Sequence, residues 1–278
     1  VISFYQNFSG FLKNGSKQKD YQENGIRGLN CKRRESTLIE VKHFRKSYGS
    51  KVVHRDVSFF VRRGECVGLI GGSGVGKSVI LRSLIGLERP DSGSIKIGDQ
   101  EIATLNEEDF VPIRQKVAYV FQGGALFDSM TVFENLAYPL VEHTQLKPKE
   151  IESRILTTLS DLGLGGTENS LPSQLSGGMQ KRVGLARALM MSPDVILYDE
   201  PTAGLDPFNT KRIQEHILKL KKKGVTSILV THDMPTALAC CEKLVYLLNG
   251  QVEASVLCED LKSKPNPALM RFIEGETA

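Results

Sequence analysis

No stretch of this 278-residue sequence approaches the ~18 consecutive apolar residues of a membrane-spanning helix. If the protein works at a membrane, another chain has to span the bilayer. The start lacks the order of a secretion signal, because Lys13, Lys17 and Lys19 follow the short apolar stretch rather than precede it. Val1 is read as either the beginning of a fragment or a non-ATG start. An excess of one charge is lacking too. Lys and Arg number 36 against 32 Asp and Glu, a net of +4, too mild by itself to argue for nucleic acid. The five cysteines (Cys31, Cys66, Cys240, Cys241, Cys258) are odd in number, and no pair has metal-ligand spacing. That predicts reduced thiols in a cytosolic protein, with Cys66 serving as packing. No internal repeat or low-complexity tract is present.

What is there is ordinary for a globular protein, 40% hydrophobic and 24% charged, and long enough to bury a core without disulfides. Residues 1–36 are polar and aperiodic and read as a loose extension with a short helix near 4–12. From residue 38 short apolar runs recur, at 38–41, 57–61, 66–70, 94–97, 117–121, 195–198, 227–230 and 244–247. Turn signals and helical patterns separate them. A helix at 209–222 carries Ile213, Ile217 and Leu220 on one face and ends in lysines, read as a solvated face that complements the helix dipole. Alternating strands and helices predict an α/β fold with a mainly parallel sheet. Residues 124–175 break the rhythm and predict a helical insertion.

The stretch Gly71-Gly72-Ser73-Gly74-Val75-Gly76-Lys77-Ser78 fits G-x-x-x-x-G-K-[ST], with a buried strand leading in and an apolar helix leading out. Glycines let the backbone curl so that successive N–H groups point at phosphate oxygens, and the helix N-terminus adds positive dipole. Lys77 is placed to reach the β- and γ-phosphates of ATP, and the Ser78 hydroxyl to ligate Mg2+. A plain glycine turn is the competing reading, and the strand–loop–helix context disfavours it. Farther on, the apolar run Val195-Ile196-Leu197-Tyr198 ends in Asp199-Glu200. Asp199 suits a magnesium-holding carboxylate, and Glu200 a base for the attacking water. A surface-exposed acidic strand end competes only if the phosphate loop is ignored.

Between these motifs lies Leu175-Ser176-Gly177-Gly178-Met179-Gln180-Lys181-Arg182, which resembles the signature of ATP-binding cassette (ABC) ATPases, commonly LSGGQ, with Met179 in the fifth place. Ser176 can cap a helix while the Gly177 and Gly178 amides approach a phosphate. By the same resemblance Tyr48 matches the aromatic that stacks on adenine, Gln122 the Q-loop, Asp206 the D-loop and His232 the switch histidine. Six motifs in order cover about residues 37–250. The resemblance implies a P-loop NTPase (RecA-like) cassette over 37–264, with an antiparallel β subdomain, a helical subdomain at about 124–190, and a tail at 265–278. It implies a homodimer in which Ser176, Gly177 and Gly178 of one copy complete the ATP site of the other, and it counts Asp206 among the nucleotide-binding residues.

One cassette with no membrane span is similar to the separate nucleotide-binding subunit of a transporter, peripheral on the cytoplasmic face of the inner membrane and partnered by transmembrane permease subunits. The stretch from Phe121 to Val132, with Phe121-Gln122-Gly123-Gly124-Ala125-Leu126-Phe127-Asp128-Ser129-Met130-Thr131-Val132, resembles cassettes of the Mla/Mkl type. Those serve Mce-type phospholipid transport, which implies an Mce-domain lipid-binding partner and no nucleic acid. Gly72 and Val79 depart from common residues of the family's phosphate loop without removing a ligand. The apolar, aromatic segment 125–140 is expected to divide between core and a groove for the permease. An importer subunit for a small polar solute such as an amino acid, with identical chemistry, stays open, as does a soluble ABC-type regulator.

Overall fold

Three adjacent parallel strands, like their neighbour Lys243–Leu248, are buried along almost their whole length, as expected where helices cover both faces of a parallel sheet. They are β3 (Cys66–Gly71), β7 (Val195–Asp199) and β8 (Thr226–Val230). The computed structural model describes residues 36–261, 263 and 265–275. The expected helix at 4–12 and Cys31 lie outside these. The remaining strands are β1 (Thr37–Tyr48), β2 (Lys51–Arg62), β4 (Ser92–Ile97), β5 (Gln100–Glu101), β6 (Val117–Val120), β9 (Lys243–Leu248) and β10 (Gln251–Leu257). One sheet runs in the order β5-β4-β1-β2-β10-β9-β3-β8-β7-β6. Strands β9, β3, β8, β7 and β6 are mutually parallel, whereas β1, β2, β4 and β5 form an antiparallel arm joined through β10.

Side chains alternate across the parallel strands and divide the core in two. Cys66, Ile70, Ile196 and Tyr198 face one cluster, and Val67, Leu69, Val195 and Leu197 the other. The second cluster includes Ile80 and Leu81 of α1 (Lys77–Leu84) and the inner face of the antiparallel arm. A short helix, α2 (Val111–Lys116), precedes β6. Within the stretch 124–175 lie α3 (Val132–His143) and α4 (Pro148–Asp161), followed by α5 (Gly177–Leu189), and all three pack on the first cluster.

Helix α3 starts at a capping box between Thr131 and Glu134. Its Asn135 is fully buried; the carboxamide oxygen accepts from Phe127 N–H at 2.9 Å, and the amide donates to the carbonyls of Phe127, Met130 and Thr131. One side chain thus pins the loop that follows Gln122.

Helix α6 (Pro207–Lys222) matches the sequence expectation within two residues. Its lysines do more than face solvent. Lys219 pairs with Asp161 at 3.0 Å and Lys221 with Glu242 at 2.9 Å, tying α6 to α4 and to the segment after α7 (Met234–Cys240). The segment read as a tail carries α8 (Pro267–Ile273), capped by Asn266. Leu269 is fully buried, and the Phe272 ring lies 5.0 Å from that of Tyr246 on β9, so this segment packs on the core. Seven residues are too few to display a helical period against the surrounding sequence.

Candidate functional site

The parallel strands all end at one edge of the sheet, the usual ligand edge of open α/β folds. Strand β3 delivers the loop 71–76, β6 delivers Gln122, β7 delivers Asp199 and Glu200, and β8 delivers His232. Tyr48, Lys51, Ser73, Gly74, Gly76, Lys77, Ser78, Gln122, Glu200 and His232 border a cleft of about 570 Å³, and Asp199 does not line it.

Glycine is required at two points of the loop. Gly71 has φ 151° and Gly76 φ 91°. A Cβ on Gly71 would stand 2.6 Å from the Leu247 carbonyl oxygen, and one on Gly76 would collide with His54 and Val53. Val75 packs against the sheet side of the loop. Lys77 is almost wholly buried, and its ammonium donates to the carbonyls of Gly71 and Gly72, both at 2.9 Å. Burial lowers its pKa, and the nearby Glu200 and Asp199 charges oppose that shift.

The Ser78 hydroxyl donates to Asp199 Oδ1 at 2.8 Å, and the Tyr119 hydroxyl donates to Asp199 Oδ2 at 2.7 Å. Burial first, then the hydrogen bond and charge of Asp199, push the Tyr119 phenol far above its usual range, so it stays a donor. Beside them Glu200 sits at φ 51°, a conformation costly for a residue with a Cβ and typical of functional positions. Its N–H donates to the Val230 carbonyl at 2.9 Å, which anchors the backbone to β8. Its Oε2 lies 2.9 Å from His232 Nδ1; the glutamate is 15% exposed and the histidine 68%. Tyr48 is 44% exposed at the rim, where desolvation and Glu88 raise its phenol pKa.

The donor set fits Mg2+. A hydroxyl and a carboxylate adjoin at 2.8 Å, with Gln122 on the same cleft, and oxygen donors are what that ion prefers. Among the described residues no group of three His, Cys, Asp or Glu could hold a metal by itself. Mg2+ is commonly held by one or two protein oxygens together with waters and substrate phosphates.

Ser176, Gly177, Gly178 and Asp206 do not border this cleft. Ser176 caps α5 by accepting from Met179 N–H at 3.3 Å, and Ser176 and Gly177 are exposed. Asp206 caps α6 through Asn209 N–H at 3.0 Å. Lys181 on α5 donates to the Ala203 carbonyl, and Arg182 to the Asn209 carboxamide, so the two capped ends are braced together.

Sequence reasoning missed Tyr119, Arg82, Lys51 and His54. Arg82 had a signal, since it lies four residues after Ser78 on the same face of α1 and also borders the cleft. His54 had none. It is 1% exposed, donates Nε2–H to the Gly76 carbonyl at 3.1 Å, and stacks edge-on against Phe44. Its Nδ1 is then bare, buried and unpartnered. Burial lowers its pKa, against a smaller opposing effect of the Gly76 bond, so the folded state favours the neutral ring. The contribution is fully present above the unfolded value of about 6.5 and is lost as pH falls toward the lower folded value, at up to about 1.4 kcal/mol per pH unit. Denaturant titrations from pH 7.5 to 5 should give His54→Leu a flatter stability profile than wild type. Equal slopes would rule out His54 as the source.

A second surface adjoins the loop after Gln122. Val132, Leu136, Ala137 and Leu140 of the segment 125–140 are buried, while Phe127, Tyr138 and Pro139 border an apolar groove of about 510 Å³ that Arg187 and Met191 also line.

A phosphate loop between a buried strand and a helix, with a carboxylate pair on the next strand but one, defines a P-loop nucleotide-binding domain. Residues 54–203 match the family described as ABC transporter, and the chain belongs to that family. It is an ATP-binding subunit of an ABC transporter and an ATPase of that class. It is 40% identical over 238 residues to the probable ribonucleotide transport ATP-binding protein mkl of Mycobacterium leprae, spanning 85% of this chain and 69% of that one. It is 34% identical over 241 residues to the intermembrane phospholipid transport system ATP-binding protein MlaF of Escherichia coli K12, spanning 86% and 90%. Among solved structures, a bacterial ABC transporter cassette in dimeric form matches with a TM-score of 0.75 at 33% identity, covering 80% of this chain and 99% of that one. No helix among the described residues is long and apolar enough to cross a membrane.

Proposed function

We propose that this chain powers a bacterial transporter that moves phospholipid between membranes. The observation that carries the ATPase chemistry is the convergence of the phosphate loop, Gln122, Glu200 and His232 on one cleft, with Asp199 hydrogen-bonded to Ser78 at its wall. The lipid reading is supported by similarity along nearly the full length of the phospholipid-transport relative.

Tyr48 stacks on the adenine. The amides of the loop from Gly71 to Gly76, including Gly72, Ser73, Gly74 and Val75, face the phosphates, and Lys77 neutralises their charge. Ser78, Gln122 and Asp199 would hold Mg2+, which when bound offsets charge on the β- and γ-phosphates. Glu200 orients the attacking water and takes its proton, and His232 holds Glu200 in place and faces the γ-phosphate. In a second copy Ser176, Gly177, Gly178 and Asp206 close over the cleft. Dimer formation by a similar cassette supports this. Transmembrane permease subunits would seat in the apolar groove at Phe127 and Tyr138, and the chain would then work at the cytoplasmic face of the cell membrane. An Mce-domain protein would be a further partner.

The test is reconstitution of the chain with its genomically adjacent permease in vesicles carrying a fluorescent phospholipid. ATP-dependent lipid transfer, abolished by Lys77→Ala in this chain, is the expected result. ATP-dependent uptake of an amino acid or a ribonucleotide without lipid transfer would replace the lipid reading.

A further inference from the structure

Strands β6 and β7 run parallel with Tyr119 opposite Leu197 and Val120 opposite Tyr198. In this register Asp199 lies one residue past the end of the β6 pairing, within reach of the Tyr119 ring. The two residues are 80 apart in sequence, yet the phenol hydroxyl meets Asp199 Oδ2 at 2.7 Å. The ring is held in turn by Phe121, with centroids 4.2 Å apart. Phe121 directly precedes Gln122, so the same strand end carries the clamp and the Q-loop glutamine.

A carboxylate rotates about its Cβ–Cγ bond unless both oxygens are held. Ser78 holds Oδ1, but its hydroxyl is itself suited to ligate the metal and must re-aim when it does so. Tyr119 holds Oδ2 from the neighbouring strand and has no such second task. Hydrogen-bonding partners of metal-ligating carboxylates orient them, and removing one costs about 10–100-fold in metal affinity or activity.

We propose that Tyr119 is a positioning residue that fixes the Asp199 carboxylate through Oδ2 and thereby sets the metal dependence of nucleotide binding. This rests on the reading of Asp199 as the metal-holding carboxylate. Tyr119 does not line the cleft; it acts through Asp199. Its hydroxyl also couples the strand of Gln122 to that carboxylate, so a shift of one is felt by the other.

The test compares the wild-type chain with Tyr119→Phe and Asp199→Asn, using a fluorescent ATP analogue titrated in EDTA and then against increasing Mg2+. Tyr119→Phe removes one oxygen and keeps the ring in place. Its metal-free affinity should stay within about twofold of wild type, and its half-saturating Mg2+ concentration should rise about 10-fold or more. Asp199→Asn should lose most of the response to Mg2+. If the Tyr119→Phe metal titration overlays that of wild type while Asp199→Asn loses the response, the proposal is overturned and the parent reading stands. The same holds if Tyr119→Phe only lowers the melting temperature, equally with and without Mg2+. If Asp199→Asn keeps the wild-type response, the parent reading fails and the role of Tyr119 fails with it.

Discussion

Glu200→Gln is expected to bind ATP as wild type does and to hydrolyse it about 10²–10⁴-fold more slowly. The substitution preserves size and leaves the backbone features of the site untouched. These are φ 51° and the N–H bond to Val230, neither of which depends on the side chain's charge. The amide can still meet His232 Nδ1, the present partner of Oε2 at 2.9 Å. It has no lone pair basic enough to accept a proton from water. Binding should survive because the proposed phosphate contacts come from the loop amides and Lys77 rather than from Glu200. Phosphate release under single- and multiple-turnover conditions, beside equilibrium binding of ATP, separates the two effects. Hydrolysis at the wild-type rate would remove Glu200 from the role of base and leave His232 as the remaining candidate at the cleft.

Ser176→Arg is expected to lower hydrolysis by about 10²–10³-fold, the scale for loss of preorganised donors to a phosphate in the transition state, while each chain still binds ATP in its own cleft. The reason is geometric. Ser176 and Gly177 are exposed and lie off the cleft formed by their own phosphate loop, so their amides serve an ATP only if a second copy brings one. Arginine places a long side chain where that phosphate must approach. The lost N-cap costs about 1 kcal/mol, too little to unfold the domain, and Ser176→Ala controls for it. The decisive measurement mixes Ser176→Arg with Lys77→Ala, each inactive alone. In a mixed dimer the intact phosphate loop of one chain meets the intact signature of the other, so activity should return. Continued inactivity in mixtures proven to contain mixed dimers would place the complete site within a single chain.

The fold was legible wherever local pattern and burial agree. The largely apolar runs at 66–70, 195–198 and 227–230 became buried parallel strands because helices on both faces leave little polar side to encode. The insertion at 124–175 was legible as helical because caps and periodicity are local signals. Residues 267–273 were read as tail because one turn and a half of helix shows little period, and what holds it, the contact of Phe272 with Tyr246, is long-range. The lysines of α6 were read as solvated because the acids that pair with them, Asp161 and Glu242, lie on other elements.

By itself the sequence determined that this protein grips a phosphate. Glycines at positive φ, a lysine and a helix start are contiguous residues, and their chemistry travels with the motif. It also determined, through six ordered motifs, which family of machines the grip belongs to. Only the tertiary structure decided what surrounds Asp199, that a buried histidine props the loop at Gly76, and that the signature serine lies off its own cleft. Those depend on strand register and on which elements pack together. Register is set by the summed burial of whole strands rather than by any short run of residues.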